Sequence, residues 1–418
     1  MPKSFSSAED AGSELTGALR YVARQPILDL KGVVYGYELL FRAGPEAVFR
    51  GDGNMATRTM LDNAFLFGLE KLTAGLPAFV NCTMESLTER LVDILPPQST
   101  VLEILETLEP TPELIAACHE LKAIGYRIAL DDFIWKPKYA PLVELADYIK
   151  VDFIQTGEAE RRELVKRVNG TGVALLAEKV ETLEQYGQAQ AEGFTLFQGY
   201  YFCRPLLVKS RRVPANQLSY IQILTHLQEE PLNLQQLCPL VKKDAALTYR
   251  LLRLVNSPIG AMRQEVSSIN AALTLVGDNA FRRMATLAIT SELNAKRPPE
   301  ILRMAYVRGR FCELAAGLCS LERSEQYLLG IFSLFPAILG VPMLEVAPAL
   351  PLPEGILDAL LGAVSYESSL LRWAESFERG DWSHCDAIEE SYGLSQERLI
   401  LCHAEATIWA DDALHFAK

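Results

Sequence analysis

The sequence predicts a modified TIM-type α/β barrel with one antiparallel strand, followed by an all-α helical domain. Three observations carry that prediction. From residue 21 to about 205, short apolar stretches alternate with amphipathic ones, giving eight strands with helices in six of the later connections. The first two strands, 21–30 and 33–41, meet at Asp29-Leu30-Lys31-Gly32, whose Asp and Gly suit a hairpin turn. So short a joint cannot make a parallel crossover, which leaves one strand antiparallel. Beyond residue 209 the strand signal ends and apolar residues recur at helical spacing.

In order, the barrel half reads as the hairpin, a helix over 54–72, a strand over 78–83, a helix over 84–94 and a strand over 100–105. A helix over 112–124 follows, opened by Thr111 as its cap and Pro112 at its first position. Then come a strand over 126–132, a short helix near 140–145, a strand over 148–153 and a helix over 159–168. A strand over 173–179, a helix over 183–192 and a strand over 194–198 complete the series. In the second half, helices are predicted over 216–228, 234–241, 245–255, 268–276 and 281–293. The fourth carries Ile269, Ala272, Leu273 and Val276 on one face and is stopped by Gly277. The remainder is mostly helical, with Pro- and Gly-rich breaks over 335–353.

The chain has 418 residues, 49% of them apolar, enough for two cores. The expected division is a loose tail over 1–18, a barrel domain over 19–208, a polar linker over 209–215 and a helical domain over 216–418. Forty basic against 53 acidic residues leave a net charge of −13, which argues against a nucleic-acid polymer as partner. Eight cysteines without a C-x-x-C pair suggest neither a zinc module nor a disulfide framework. With no signal peptide and no apolar run of membrane-spanning length, a cytoplasmic protein without a membrane partner is expected. The five histidines are scattered and no His-Asp dipeptide occurs, so the helical half offers no obvious metal site. Asn256-Ser257 reads as a helix-ending turn, Arg282-Arg283 as a solvated face, and Trp373, Trp382 and Trp409 as packing residues.

The polar residues at the strand ends point to function. They are Glu38, Asn81, Glu103, Asp131 with Asp132, Lys150 with Asp152, Glu178 with Glu181, and Gln198. In a barrel the C-terminal strand ends open on one mouth, so these groups would converge there. A carboxylate after one strand is usually a turn residue or a helix cap. Seven successive strand ends bearing an oxygen or amine donor are a pattern. Oxygen donors from Glu, Asn and Asp suit hard divalent cations such as Mg²⁺ or Mn²⁺, and two such ions could activate water against a phosphodiester. Arg42 supplies a planar cationic fork suited to a phosphate.

These residues lie in segments that resemble the EAL domain of cyclic-di-GMP phosphodiesterases. The segments are Gln25-Pro26-Ile27, Glu38-Leu39-Leu40-Phe41-Arg42, Val80-Asn81-Cys82-Thr83, Leu102-Glu103-Ile104-Leu105-Glu106, Asp131-Asp132-Phe133, Ile149-Lys150-Val151-Asp152, Glu178-Lys179-Val180-Glu181 and Gln198-Gly199-Tyr200-Tyr201-Phe202. The resemblance implies a two-metal hydrolysis of cyclic-di-GMP to its linear form. It implies metal ligation by Glu38, Asn81, Glu103, Asp131 and Asp132, and positioning of water or metal by Lys150, Glu178 and Gln198. Arg42, with Gln25, would contact the substrate. Leu39 stands where the family signature has alanine, and residues 133–139 lack the family's glycine-rich loop, which Glu106 would otherwise fix. In the second half, Asp244-Ala245-Ala246-Leu247, residues 251–257 and residues 269–277 resemble the HDOD domain, a helical relative of the HD phosphohydrolases without their metal-binding pair. That resemblance implies a protein partner for the helical half and allows a homodimer. Two expectations follow: a metal-dependent hydrolase signalling through its helical half, and a non-catalytic sensor or scaffold that reuses the barrel.

Overall fold

A computed structural model describes residues 22–41, 69–203, 215–227, 232–257, 266, 268–294, 297–350 and 352–417. The expected tail over 1–18, Arg42, most of the helix over 54–72 and most of the linker lie outside them. The chain divides into two compact units, Met1–Tyr201 with Phe377–Trp382, and Phe202–Ser376 with Ser383–Lys418.

The first unit is a closed eight-stranded barrel of β1 (Val22–Asp29), β2 (Val34–Phe41), β3 (Ala78–Cys82), β4 (Thr100–Ile104), β5 (Arg127–Leu130), β6 (Tyr148–Asp152), β7 (Ala174–Glu178) and β8 (Leu196–Gln198). Strand β1 runs antiparallel to both β2 and β8, and every other pairing is parallel. The hairpin turn forms as its residues predict: the Asp29 carboxylate accepts from Lys31 N and Val33 N at 2.8 and 2.9 Å, and Gly32 takes a φ of 73°. The barrel helices are α1 (Leu69–Thr73), α2 (Met84–Thr88), α3 (Pro112–Ala123), α4 (Ala140–Leu145), α5 (Glu158–Val168) and α6 (Leu183–Glu192). Thr111 caps α3 by accepting from Leu114 N at 3.3 Å. The helix predicted over 84–94 is instead two pieces, α2 and a 3₁₀ turn over Leu91–Ile94. The break is at Arg90, left-handed at φ 61°, whose guanidinium is held by Asp93 and Glu120 at 2.9 and 3.2 Å.

Side-chain alternation along the strands fixes what the barrel encloses. Ile27, Phe79, Val101, Ala129, Tyr148, Leu176 and Leu196 form the apolar floor. Gly36, opposite Ile27, joins that layer because a Cβ there would sit 2.6 Å from Pro77 O. Two residues further toward the mouth, the same inward parity selects Gln25, Glu38, Asn81, Glu103, Asp131, Lys150, Glu178 and Gln198. The polar ring is therefore the second interior layer, stacked on a dry one.

The second unit contains α7 (Ala215–His226), α8 (Leu234–Lys242), α9 (Ala245–Val255), α10 (Ile269–Val276), α11 (Asp278–Leu293), α12 (Pro299–Ala316), α13 (Arg323–Phe332), α14 (Phe335–Leu339), α15 (Met343–Val346), α16 (Glu354–Leu360), α19 (Gln396–Ala417) and all but the adjoining ends of α17 (Ser369–Glu378) and α18 (Trp382–Tyr392). At its centre α12 packs on α13 and α19. Gly309 and Gly330 let α12 and α13 approach closely, since a Cβ on Gly330 would fall 2.4 Å from Arg308 O. Trp373 is buried and stacks on Phe311 at 5.1 Å, with His403 against both rings. Asn256 is structural: its amide clasps the backbone of Val266 from both sides, at 2.7 and 2.8 Å. Arg282 and Arg283 do not form a solvated face. Arg282 donates to Leu227 O and Arg283 pairs with Glu313 at 2.8 Å, which draws both partly into the unit.

Candidate active site at the barrel mouth

Lys150 is the centre of the polar layer. Its side chain is fully buried, and four carboxylates surround Nζ: Glu103 and Asp131 at 2.7 Å, Glu178 at 3.0 Å and Glu38 at 3.3 Å. Each acid comes from a different strand end, which is why residues 112 positions apart in sequence, such as Glu38 and Lys150, can meet. Burying an ammonium is costly unless it is paired, and here it is paired several times over. Burial alone would lower the Lys150 pKa, but the charges of Glu103, Glu178, Glu38 and Asp131 outweigh it and hold the ammonium well above its usual value.

The surplus charge falls on the acids. Four carboxylates against one ammonium leave three negative charges if all ionise. Burial raises Glu103 well above the carboxylate range; Lys150 pulls it down while Glu38 and Asp131 push it further up. Burial likewise pushes Glu178 up to about 8, against the pull of Lys150. Glu38 is the best satisfied: Asn81 Nδ2 donates to its Oε1 at 3.3 Å, and Gln198 Nε2 donates to its Oε2 at 2.5 Å. The same Gln198 amide donates to Gln25 Oε1 at 2.9 Å, which brings Gln25 to the mouth.

Among the described residues no three His, Cys, Asp or Glu side chains stand in ready metal-ligand geometry, because the carboxylates gather on Lys150 instead. Donor chemistry and charge nonetheless fit a hard divalent ion. Asn81 Oδ1, Glu103 Oε2 and Asp132 Oδ1 are buried oxygens without a hydrogen bond. Such orphaned acceptors are costly in a folded protein and are what a cation would satisfy.

Asp132 follows the interior Asp131 and turns the chain out of the barrel with a φ of 40°. Aspartate tolerates this left-handed region better than most residues, so the bend needs no glycine. Phe133 N donates to Lys150 O at 2.9 Å, and its buried ring packs edge-on against Tyr139 at 5.8 Å. Pro137–Tyr139 forms a 3₁₀ turn, and Lys138 pairs with Glu109 at 2.6 Å. Glu106, the residue expected to fix the loop, is exposed, as is Glu109. A cavity of about 150 Å³ lies beneath, lined in part by Ile104, Leu130, Asp131, Phe133 and Tyr139. Leu39 is fully buried, on the strand face opposite Glu38, and does not crowd the mouth.

The structure thus brings Gln25, Glu38, Asn81, Glu103, Asp131, Lys150, Glu178 and Gln198 together, with Asp132 at the rim; Arg42 lies outside the described residues. One cation at the rim had no role in the sequence reading. Lys179, also left-handed at φ 53°, pairs with Asp152 Oδ2 at 2.5 Å and lies 3.5 Å from Asp132 Oδ2. Its signal was a lysine directly after the strand-end Glu178, where strict alternation would have turned it away from the mouth.

Residues 77–205 match the family model of the EAL domain, and residues 213–333 that of the HDOD domain. The chain is 35% identical over 405 residues to the uncharacterized protein YuxH of Bacillus subtilis, covering 94% of this chain and 98% of that one. It is 34% identical over 403 residues to the cyclic di-GMP phosphodiesterase CdgJ of Vibrio cholerae, covering 94% and 92%. Among solved structures it is similar to Klebsiella pneumoniae BlrP1 in a manganese/cy-diGMP complex at pH 9.0, with 25% identity and a TM-score of 0.36 over 44% of this chain and 55% of that one.

Proposed function

The chain belongs to the family of proteins that join an EAL domain to an HDOD domain, and from that premise we propose that it hydrolyses cyclic-di-GMP to linear pGpG with divalent metal. The observation that carries the reading is the convergence of Glu38, Glu103, Asp131 and Glu178 on one buried lysine, with more negative charge than that lysine neutralises. In this reading the barrel domain spans 19–208, the linker 209–215 and the HDOD domain 216–418. The chain signals from the cytoplasm, and its helical half binds a protein partner or a second copy of the chain.

Glu38, Asn81, Glu103, Asp131 and Asp132 would hold a Mg²⁺ or Mn²⁺ pair. When bound, such ions supply Lewis acidity at the phosphodiester. The ammonium of Lys150 orients the attacking water and offsets charge that builds on the phosphate. Glu178 lies within hydrogen-bond reach of Lys150 and holds it toward the mouth. Gln198 locks Glu38 and Gln25 in place, and Gln25 and Arg42 contact the nucleotide. The substrate follows from the family and from the relative named a cyclic di-GMP phosphodiesterase.

The loop over 133–139 favours a second reading, a nucleotide sensor without turnover, because exposed Ile134 and part-buried Trp135 stand where a small, flexible loop would move with substrate. Calorimetry and product analysis on the full chain separate the two. The enzyme reading requires linear pGpG from cyclic-di-GMP with Mn²⁺ or Mg²⁺, and none from Glu38→Ala. Tight binding without product at any metal concentration would establish the sensor instead. Neither binding nor turnover would remove both.

A further inference from the structure

Lys179 is placed where it can act on metal loading. Its ammonium rests on Asp152 at 2.5 Å and reaches Asp132 Oδ2 at 3.5 Å, while Asp132 Oδ1 is buried without a hydrogen bond. Asp152 itself is fixed: its Oδ1 accepts from Ile154 N at 2.7 Å and from Gln155 N at 2.9 Å, and the residue is 3% exposed. Lys179 is the opposite case, with a side chain 47% exposed on a long flexible stem. The left-handed backbone at φ 53° is uncommon and strained for a lysine. Residues are held in such regions only where the surroundings over-determine them, and those positions cluster at functional sites. Here the turn brings Lys179 over the mouth beside the outermost carboxylate of the site.

We infer that Lys179 is a tethered cation that competes with a divalent ion for Asp132, so that metal loading at the rim requires the lysine to swing away. Asp152 is its anchor in both positions. The inference rests on the metal-dependent reading above, and it concerns affinity rather than chemistry. Its physical basis is like-charge repulsion: one positive charge within ion-pair distance of a ligand opposes a doubly charged ion on the same carboxylate, and the half-exposed lysine makes the opposition salt-sensitive.

The test is Mn²⁺ binding to the full chain without nucleotide, followed by titration calorimetry and by the paramagnetic resonance of free Mn²⁺. Lys179→Met keeps side-chain length and the left-handed backbone and removes only the charge; Lys179→Arg keeps the charge. Lys179→Met should bind Mn²⁺ about tenfold more tightly or take up an additional equivalent, Lys179→Arg should match the wild type, and the gain should shrink in high salt. Adding Asp132→Asn to Lys179→Met should abolish the gain. Equal affinity, within twofold, in the wild type and Lys179→Met overturns the inference and leaves the metal reading standing, as does a gain that survives Asp132→Asn. No Mn²⁺ binding to any of these proteins overturns both.

Discussion

At the scale of single residues, the barrel mouth is a problem of charge held out of water. Burial, which Lys150 offsets only in part, keeps a proton on Glu178 in the folded state between its ordinary value of 4.5 and about 8. Over that window the folded protein binds more protons than the unfolded chain, so stability must fall as pH rises, by up to roughly 1 kcal/mol per pH unit for one such group. Thermal melts of chelator-treated protein should therefore show a falling Tm from about pH 5 to 8. Mn²⁺ or Mg²⁺ should raise Tm more at pH 8 than at pH 6, because ligands that must shed protons bind metal better at higher pH. A metal-free Tm that climbs across this window would contradict the charge account. Lys150→Met strands the acids in a dry layer, and breaking such a buried pair costs about 3–5 kcal/mol, so its loss of Tm should exceed that of a surface lysine and ease in acid.

At the scale of elements, the rim turns on two left-handed residues that are not glycine, Asp132 and Lys179, and on Gly199 after β8, where a Cβ would fall 2.2 Å from Val180 O. Asp132 makes the bend after β5, which gives a test that separates backbone from charge. Asp132→Asn should keep Tm nearly unchanged while weakening metal binding; Asp132→Ala should also lose about 1 kcal/mol of stability, read by urea unfolding, because alanine resists this conformation. In the helical unit, Gly330→Ala should cost about 1–3 kcal/mol, since its Cβ would meet the α12 backbone. Gly187 is the control: it lies inside α6 with nothing within 4 Å of a built Cβ, and Gly187→Ala should stabilise by about 0.5–1 kcal/mol. These elements also divide what sequence could tell. All eight strands were legible, because apolar runs bounded by polar ends are local signals. The break at Arg90 was not, since a left-handed arginine has no local sequence signal and one of the acids it meets, Glu120, is on the next helix. Nor was the surface pair of Lys138 with Glu109, since Glu109 lies outside the recognisable motif.

At the scale of the whole molecule, one simple periodicity explains why the site could be read before it was seen. Every strand places one residue in the dry floor and, two positions on, one in the polar layer, so a list of strand ends is already a list of neighbours. Strand ends therefore named Glu38, Asn81, Glu103, Asp131, Asp132, Lys150, Glu178 and Gln198, whereas Gln25, on the antiparallel strand, came only from the family resemblance. Sequence did not foresee that the acids would converge on Lys150, nor that Lys179 would cover the rim, because both depend on side-chain geometry beyond the strand ends. In the helical unit the five helices up to residue 293 were periodic and legible, and those beyond were legible only as a mostly helical remainder. The pairs that tie them, Arg303 to Asp411 at 2.7 Å and Arg308 to Glu375 at 2.9 Å, join residues too distant in sequence to be paired by inspection. Among the described residues no helix is long and apolar enough to cross a membrane. The central claim is that the acid cage around Lys150 performs metal-dependent hydrolysis, and it is tested most directly by following linear pGpG from cyclic-di-GMP in the full chain with chelator, then with Mn²⁺ added, beside Glu103→Gln. The account predicts no product with chelator, turnover restored by Mn²⁺, and a loss of at least about 100-fold in Glu103→Gln. Turnover that ignores the chelator or survives Glu103→Gln at the wild-type rate would contradict it.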